Sequence, residues 1–102
     1  MDKITERTTN VADIVNSAYG FPPNTAFKQK SYQITVPMKA EDETPMGEIK
    51  LFGTDETLGI IVIDVYLGKI IINVPEGPTR TYGKYVADEL SIHGYSCELK
   101  GV

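Results

Sequence analysis

The sequence predicts an α+β fold: a two-layer sandwich in which a mostly antiparallel sheet of four to five strands carries two helices on one face, in the order α-β-β-β-β-α-β. Three observations carry that reading. Ile and Val together outnumber Leu by 19 to 5, and β-branched side chains lose rotamer freedom in a helix but pack well on a pleated sheet. Two segments, one towards each end, repeat apolar residues at the helical period, and the stretches between and after them alternate with period two or fold back as a hairpin. At 102 residues the chain should bury about 65% of its unfolded surface, enough for one core, so residues 1–102 read as a single domain.

The first helix is predicted over Thr8 to Gly20. Val11, Ile14, Val15, Ala18 and Tyr19 form one stripe. Asn10 is the candidate N-cap, which makes residues 1–9 a candidate disordered arm. Gly20 suits the left-handed position after the helix, and Pro22-Pro23 stops continuation.

Tyr32, Ile34, Val36 and Met38 then alternate with polar residues as a half-buried strand, which ends at Pro37 or lies at an edge, because proline removes a ladder donor. Ala40 to Gly47 reads as a loop. Ile49 and Leu51 mark a shorter second strand stopping at Gly53.

From Gly59 to Pro75 the sequence is dense in Ile and Val, and Gly68-Lys69 at its middle reads as a two-residue type II′ turn. That register sets Leu67 opposite Ile70, Val65 opposite Ile72 and Ile63 opposite Val74 on an apolar face. The other face is mixed, with Tyr66 opposite Ile71, Asp64 opposite Asn73 and Val62 opposite Pro75.

Tyr82, Tyr85, Val86 and Leu90 give the second helix, from Thr81 to His93, with Gly94 just beyond it. Tyr95, Cys97 and Leu99 form a last strand, which arrives after a helix and so can lie parallel to a neighbour.

The chemistry is defined first by what is missing. One Cys and one His supply neither an internal disulfide nor a structural zinc site. The fingerprints for dinucleotide binding, triphosphate binding, zinc hydrolysis and serine hydrolysis are absent, so no catalytic residue, metal or cofactor is expected. His93 is placed to cap a helix end rather than to act as a lone base. Cys97 alternates inward as an inert thiol. The six Tyr and three Phe fall mostly on core stripes and lack an accompanying basic patch, so direct nucleic-acid binding is not expected. MDKITERTTN holds no apolar signal core and no run reaches 18 apolar residues, so a cytoplasmic protein without membrane contact is expected.

Charge is unevenly spread. Residues 41–56 contain Glu41, Asp42, Glu43, Glu48, Asp55 and Glu56 against Lys50 alone, a local −5, while the other 86 residues carry eight acids and nine bases. As sequence neighbours these acids are expected to lie close in space, where they would dock a basic protein partner. The spacing lacks the turn glycine of a calcium loop. A second candidate surface is the mixed sheet face, Phe52, Val62, Asp64, Tyr66, Ile71 and Asn73, with Ile60 beside it. It is open either to a homodimer or partner contact or to coverage by residues 22–30.

These features point to a small, non-catalytic, cytoplasmic protein that works by protein-protein contact. By analogy it could mask the basic groove of a nucleic-acid enzyme, as phage and mobile-element inhibitors do. Two other readings remain at this point: a small-molecule binder or enzyme subunit with a pocket between the sheet and Tyr82, Tyr85 and His93, and an oligomeric structural or accessory protein.

Overall fold

A computed structural model describes residues 2–17 and 24–102. Helix α1 spans Lys3–Asn16 and packs with α2 (Thr79–Ile92) on one face of a sheet made of β1 (Gln29–Lys39), β2 (Pro45–Gly53), β3 (Ile61–Val65), β4 (Ile70–Val74) and β5 (Cys97–Gly101). Strand order follows chain order. Every neighbouring pair is antiparallel except β4 and β5, which run parallel across the α2 connection.

The first helix starts earlier than its apolar stripe predicts. Asp2 is the N-cap and accepts a 2.7 Å bond from the Thr5 amide, so residues 3–9 are helical rather than a disordered arm and Asn10 lies mid-helix. The buried stripe is Ile4, Thr8, Val11, Ala12 and Val15. Thr8 belongs to it because its hydroxyl is satisfied within the helix, donating to the Ile4 carbonyl at 2.7 Å. The expected contributions of Ala18, Tyr19 and Gly20 fall outside the described residues.

The core lies between the helices and the inner sheet face, where Ile49, Leu51, Ile61, Ile63, Val65, Ile70, Ile72 and Val74 are fully buried. Two glycines let the layers approach. A Cβ on Gly47 would overlap the Thr8 side chain of α1, and one on Gly83 of α2 would overlap Val74 of β4. A polar relay ties both helices to the edge strand. The Tyr82 hydroxyl donates to Gln29 Oε1 at 2.9 Å, Gln29 Nε2 donates to Asn16 Oδ1, and Asn16 Nδ2 donates to the Ala12 carbonyl at 2.7 Å.

Of the two readings Pro37 left open, the edge position holds and the early end does not: β1 is an edge strand that continues past Pro37 to Lys39, and register shifts interrupt its pairing on both sides of Ser31–Thr35. Tyr32, expected inside, lies on this edge strand and is 50% exposed among the described residues. β2 begins at Pro45, shortening the expected loop to a turn in which Ala40 N bonds Thr44 O and Glu43 has φ +67°.

The β3–β4 hairpin differs by two residues from the two-residue turn. Val65 pairs with Ile70, Ile63 with Ile72 and Val62 with Asn73, and the Tyr66 amide donates to the Lys69 carbonyl across a four-residue loop. A shift of two preserves every side chain's face. Leu67, expected on the apolar face opposite Ile70, instead lies in the turn, 50% exposed.

Candidate functional site

The two candidate surfaces meet at one end of the sheet. The β1–β2 turn contributes Glu41 and Asp42, and the β3–β4 turn contributes Tyr66, Leu67 and Lys69; together they line an open cleft of about 850 Å³. Both turns are built locally. Asp42 Oδ1 accepts from the Thr44 amide at 3.1 Å, an Asx turn that fixes the carboxylate beside the opening. That hydroxyl and amide donation from Thr44 lowers the Asp42 pKa, with a smaller contribution from the Lys69 ammonium.

Tyr66 links the two groups electrostatically. Its phenol titrates above the usual tyrosine range, first through burial, then through the carboxylates of Asp64 and Asp42. Asp64 stands on the outer sheet face and Asp42 on the turn, so one aromatic side chain lies in the field of both. Its ring also receives the Lys69 ammonium 5.8 Å from the centroid. Met46 is only 6% exposed yet outside the main core cluster, and by strand alternation it shares the outer face with Glu48 and Lys50 at this end.

The six acids are not one patch. β2 separates Glu41, Asp42 and Glu43 from Asp55 and Glu56 by nine residues, about 30 Å at roughly 3.3 Å per residue. Their closeness in sequence is undone because the intervening chain is extended. Asp55 has a local task of its own, capping the 3₁₀ turn Glu56–Leu58 by accepting from the Thr57 amide at 3.0 Å and the Thr57 hydroxyl at 2.6 Å. Glu48 lies on the outer face, 3.7 Å from Lys50, and Glu43 lies 3.4 Å from Lys39. Among the described residues, Glu41 makes no ion pair.

The outer face is striped rather than apolar. One row across the strands runs Gln33, Lys50, Val62, Asn73, Lys100, and the next runs Thr35, Glu48, Asp64, Ile71, Glu98. Charged or amide side chains flank Val62 and Ile71, and Phe52, beside Ser31, sits one row beyond Lys50. Asp64 faces Ile71 rather than Asn73, yet Asn73 still reaches it: Nδ2 donates to Asp64 Oδ2 and to the Val62 carbonyl, both at 2.9 Å. Coverage by residues 22–30 does not follow from the described part of that segment. Phe27 is buried in the core, its ring 5.0 Å from Tyr82 on the helix side.

The pocket residues around the second helix do not converge. Tyr82 is buried against Phe27, whereas Tyr85 is exposed. His93 follows the helix, with Nδ1 3.0 Å from the Glu89 carbonyl. Cys97 is half-buried, and burial raises its thiol pKa. Among the described residues no group of three or more His, Cys, Asp or Glu side chains is arranged to hold a metal ion, and no helix is long and apolar enough to cross a membrane.

Sequence reasoning missed Leu67 and Lys69 as site residues. The signal was present in the composition of the turn itself: a leucine next to Gly68-Lys69 has no room inside once the loop has four residues. Compared with protein-family models, curated proteins and solved structures, the chain matches none.

Proposed function

We propose that this chain is a non-catalytic protein-contact module whose docking surface is the end of the sheet formed by the two turns, and that its partner presents basic side chains. The observation that supports this most is the position of Tyr66, in the field of Asp42 and Asp64 and next to the exposed Leu67. An aromatic and an aliphatic anchor rimmed by carboxylates is a surface suited to Arg or Lys, whose stems pack on the anchors while their charges meet the rim. Glu41 adds a carboxylate free of ion pairing among the described residues. The basic groove of a nucleic-acid enzyme is one partner with this chemistry, and a cytoplasmic setting would allow it.

The test is quantitative affinity capture from cells that produce the protein. Capture should fall with rising salt and be lost in a Glu41→Lys, Glu43→Lys variant, but survive Glu56→Lys at the far end of the sheet. Capture indifferent to salt and to the first variant would overturn the proposal.

A further inference from the structure

The sheet has two edges, and they are finished differently. β1 is guarded by Pro37, by register shifts and by Lys30 and Lys39, the devices that discourage strand addition. β5 has no proline and no register shift: its ladder runs without interruption from the Ile70–Cys97 pair to the Val74–Gly101 pair, and its two charged residues, Glu98 and Lys100, share the outer sheet face with Ile71 and Asn73, away from the helices. Among the described residues no strand pairs with its other side.

The direction of its free hydrogen-bonding groups follows from two bonds. The Ile70 amide donates to the Ser96 carbonyl at 2.8 Å and the Val102 amide donates to the Val74 carbonyl at 3.0 Å, so the backbone groups of the even-numbered β5 residues face β4. Strand alternation then turns the amides and carbonyls of Cys97, Leu99 and Gly101 outward.

Beside that edge, between β5 and α2, lies an open groove of about 570 Å³ that includes Arg80, Lys84, Tyr85, Asp88 and Leu99. Arg80 reaches the end of the strand: a Cβ on Gly101 would lie 3.5 Å from its Nη1. Tyr85 and Leu99 supply an apolar floor, with Tyr85 38% exposed. Two cations against one carboxylate give the groove a positive bias, opposite in sign to the turn end of the sheet.

We infer that the β5 edge and the α2 groove together bind an extended peptide segment, added as a sixth strand, whose helix-facing side chains include an acidic residue between apolar ones. The backbone ladder to Cys97, Leu99 and Gly101 would give affinity. The acid, directed at Arg80 and Lys84, and the apolar side chains on Tyr85 and Leu99 would give selectivity. This surface is separate from the docking end proposed above and does not depend on it.

The probe is a fluorescein-labelled peptide, acetyl-Thr-Val-Thr-Glu-Thr-Val-Thr-amide, titrated by anisotropy against the full chain, with amide exchange followed by NMR. Binding is expected at micromolar concentration with slowed exchange at the Cys97, Leu99 and Gly101 amides. A Gln for Glu exchange in the peptide, or Arg80→Gln with Lys84→Gln in the protein, should weaken it at least tenfold, and a central Pro in the peptide should abolish it. Both protein changes are on exposed side chains, and an unchanged circular dichroism spectrum verifies their fold. Three results would overturn the inference: no binding at 1 mM peptide, binding that leaves those amides unchanged, or protection of the same amides by concentration-dependent self-pairing without peptide.

Discussion

Thr8 of α1 occupies the space that a side chain on Gly47 of β2 would need. Thr8 is fully buried, its hydroxyl is spent on the Ile4 carbonyl, and a Cβ on Gly47 would fall inside its van der Waals radius. α1 therefore rests on the sheet at a point where the strand has no side chain. Gly47→Ala is expected to cost about 1–3 kcal/mol, the usual range for overpacking. Thr8→Ala should recover most of that loss in the double variant, a coupling above about 0.5 kcal/mol in urea denaturation. Strictly additive effects would show that the contact is not what sets the helix height.

The relay from Tyr82 through Gln29 to Asn16 makes a graded prediction. Tyr82→Phe removes one donor and should cost about 1 kcal/mol. Gln29→Ala strips a partner from both Tyr82 and Asn16 and should cost more. Thermal or urea unfolding of the two variants checks the order, and equal costs would contradict a connected relay.

Glu43 holds φ +67°, a conformation that disfavours side chains other than Gly, Asn and Asp. Its ion pair with Lys39 joins two largely exposed side chains, so losing it costs little. Glu43→Asn should raise stability by about 0.5 kcal/mol while weakening capture of a basic partner. A variant that gains stability and loses binding separates the two roles of the turn; a loss of stability would remove the strain argument.

Stability should depend on pH at both ends. Asp2, Asp42 and Asp55 each accept hydrogen bonds that lower their pKa below the ordinary value. Protons bind them more weakly in the folded chain, so the stability they contribute is present above pH of about 4 and is lost as pH falls through their lowered values. Tyr66, Tyr82 and Cys97 have raised pKa values, in each case chiefly through burial. Their contribution is intact below about pH 8.5 and is lost as pH rises through the thiol and phenol range. Melting temperature against pH should fall at both limbs. Asp42→Asn and Asp55→Asn should flatten the acid limb, and an acid limb identical in that variant would contradict the assignment.

Element order and faces were legible because period-two and period-3.6 patterns report burial directly. The hairpin shows the limit. Ile63, Val65, Ile70 and Ile72 face the core in either register, since a shift of two leaves parity intact, but periodicity alone cannot count loop residues. The first turn of α1, residues 3–7, is not legible because a polar Thr8 interrupts the apolar spacing from Val11 back to Ile4, although its hydroxyl bonds within the helix. The acidic segment was misplaced because charge was summed along the chain, and an extended β2 carries Glu41 and Glu56 to opposite ends of the sheet. The meeting of Asp42 with Tyr66 depends on β1–β2 and β3–β4 turns lying side by side, a consequence of strand order that no local pattern encodes.

Hydrogen exchange of the protein, free and in its captured complex, tests the docking surface most directly. Protection confined to residues 40–44 and 64–69 is the predicted footprint. Protection that leaves both turns unchanged and appears at residues 54–58 or over the middle of the outer sheet face would contradict it.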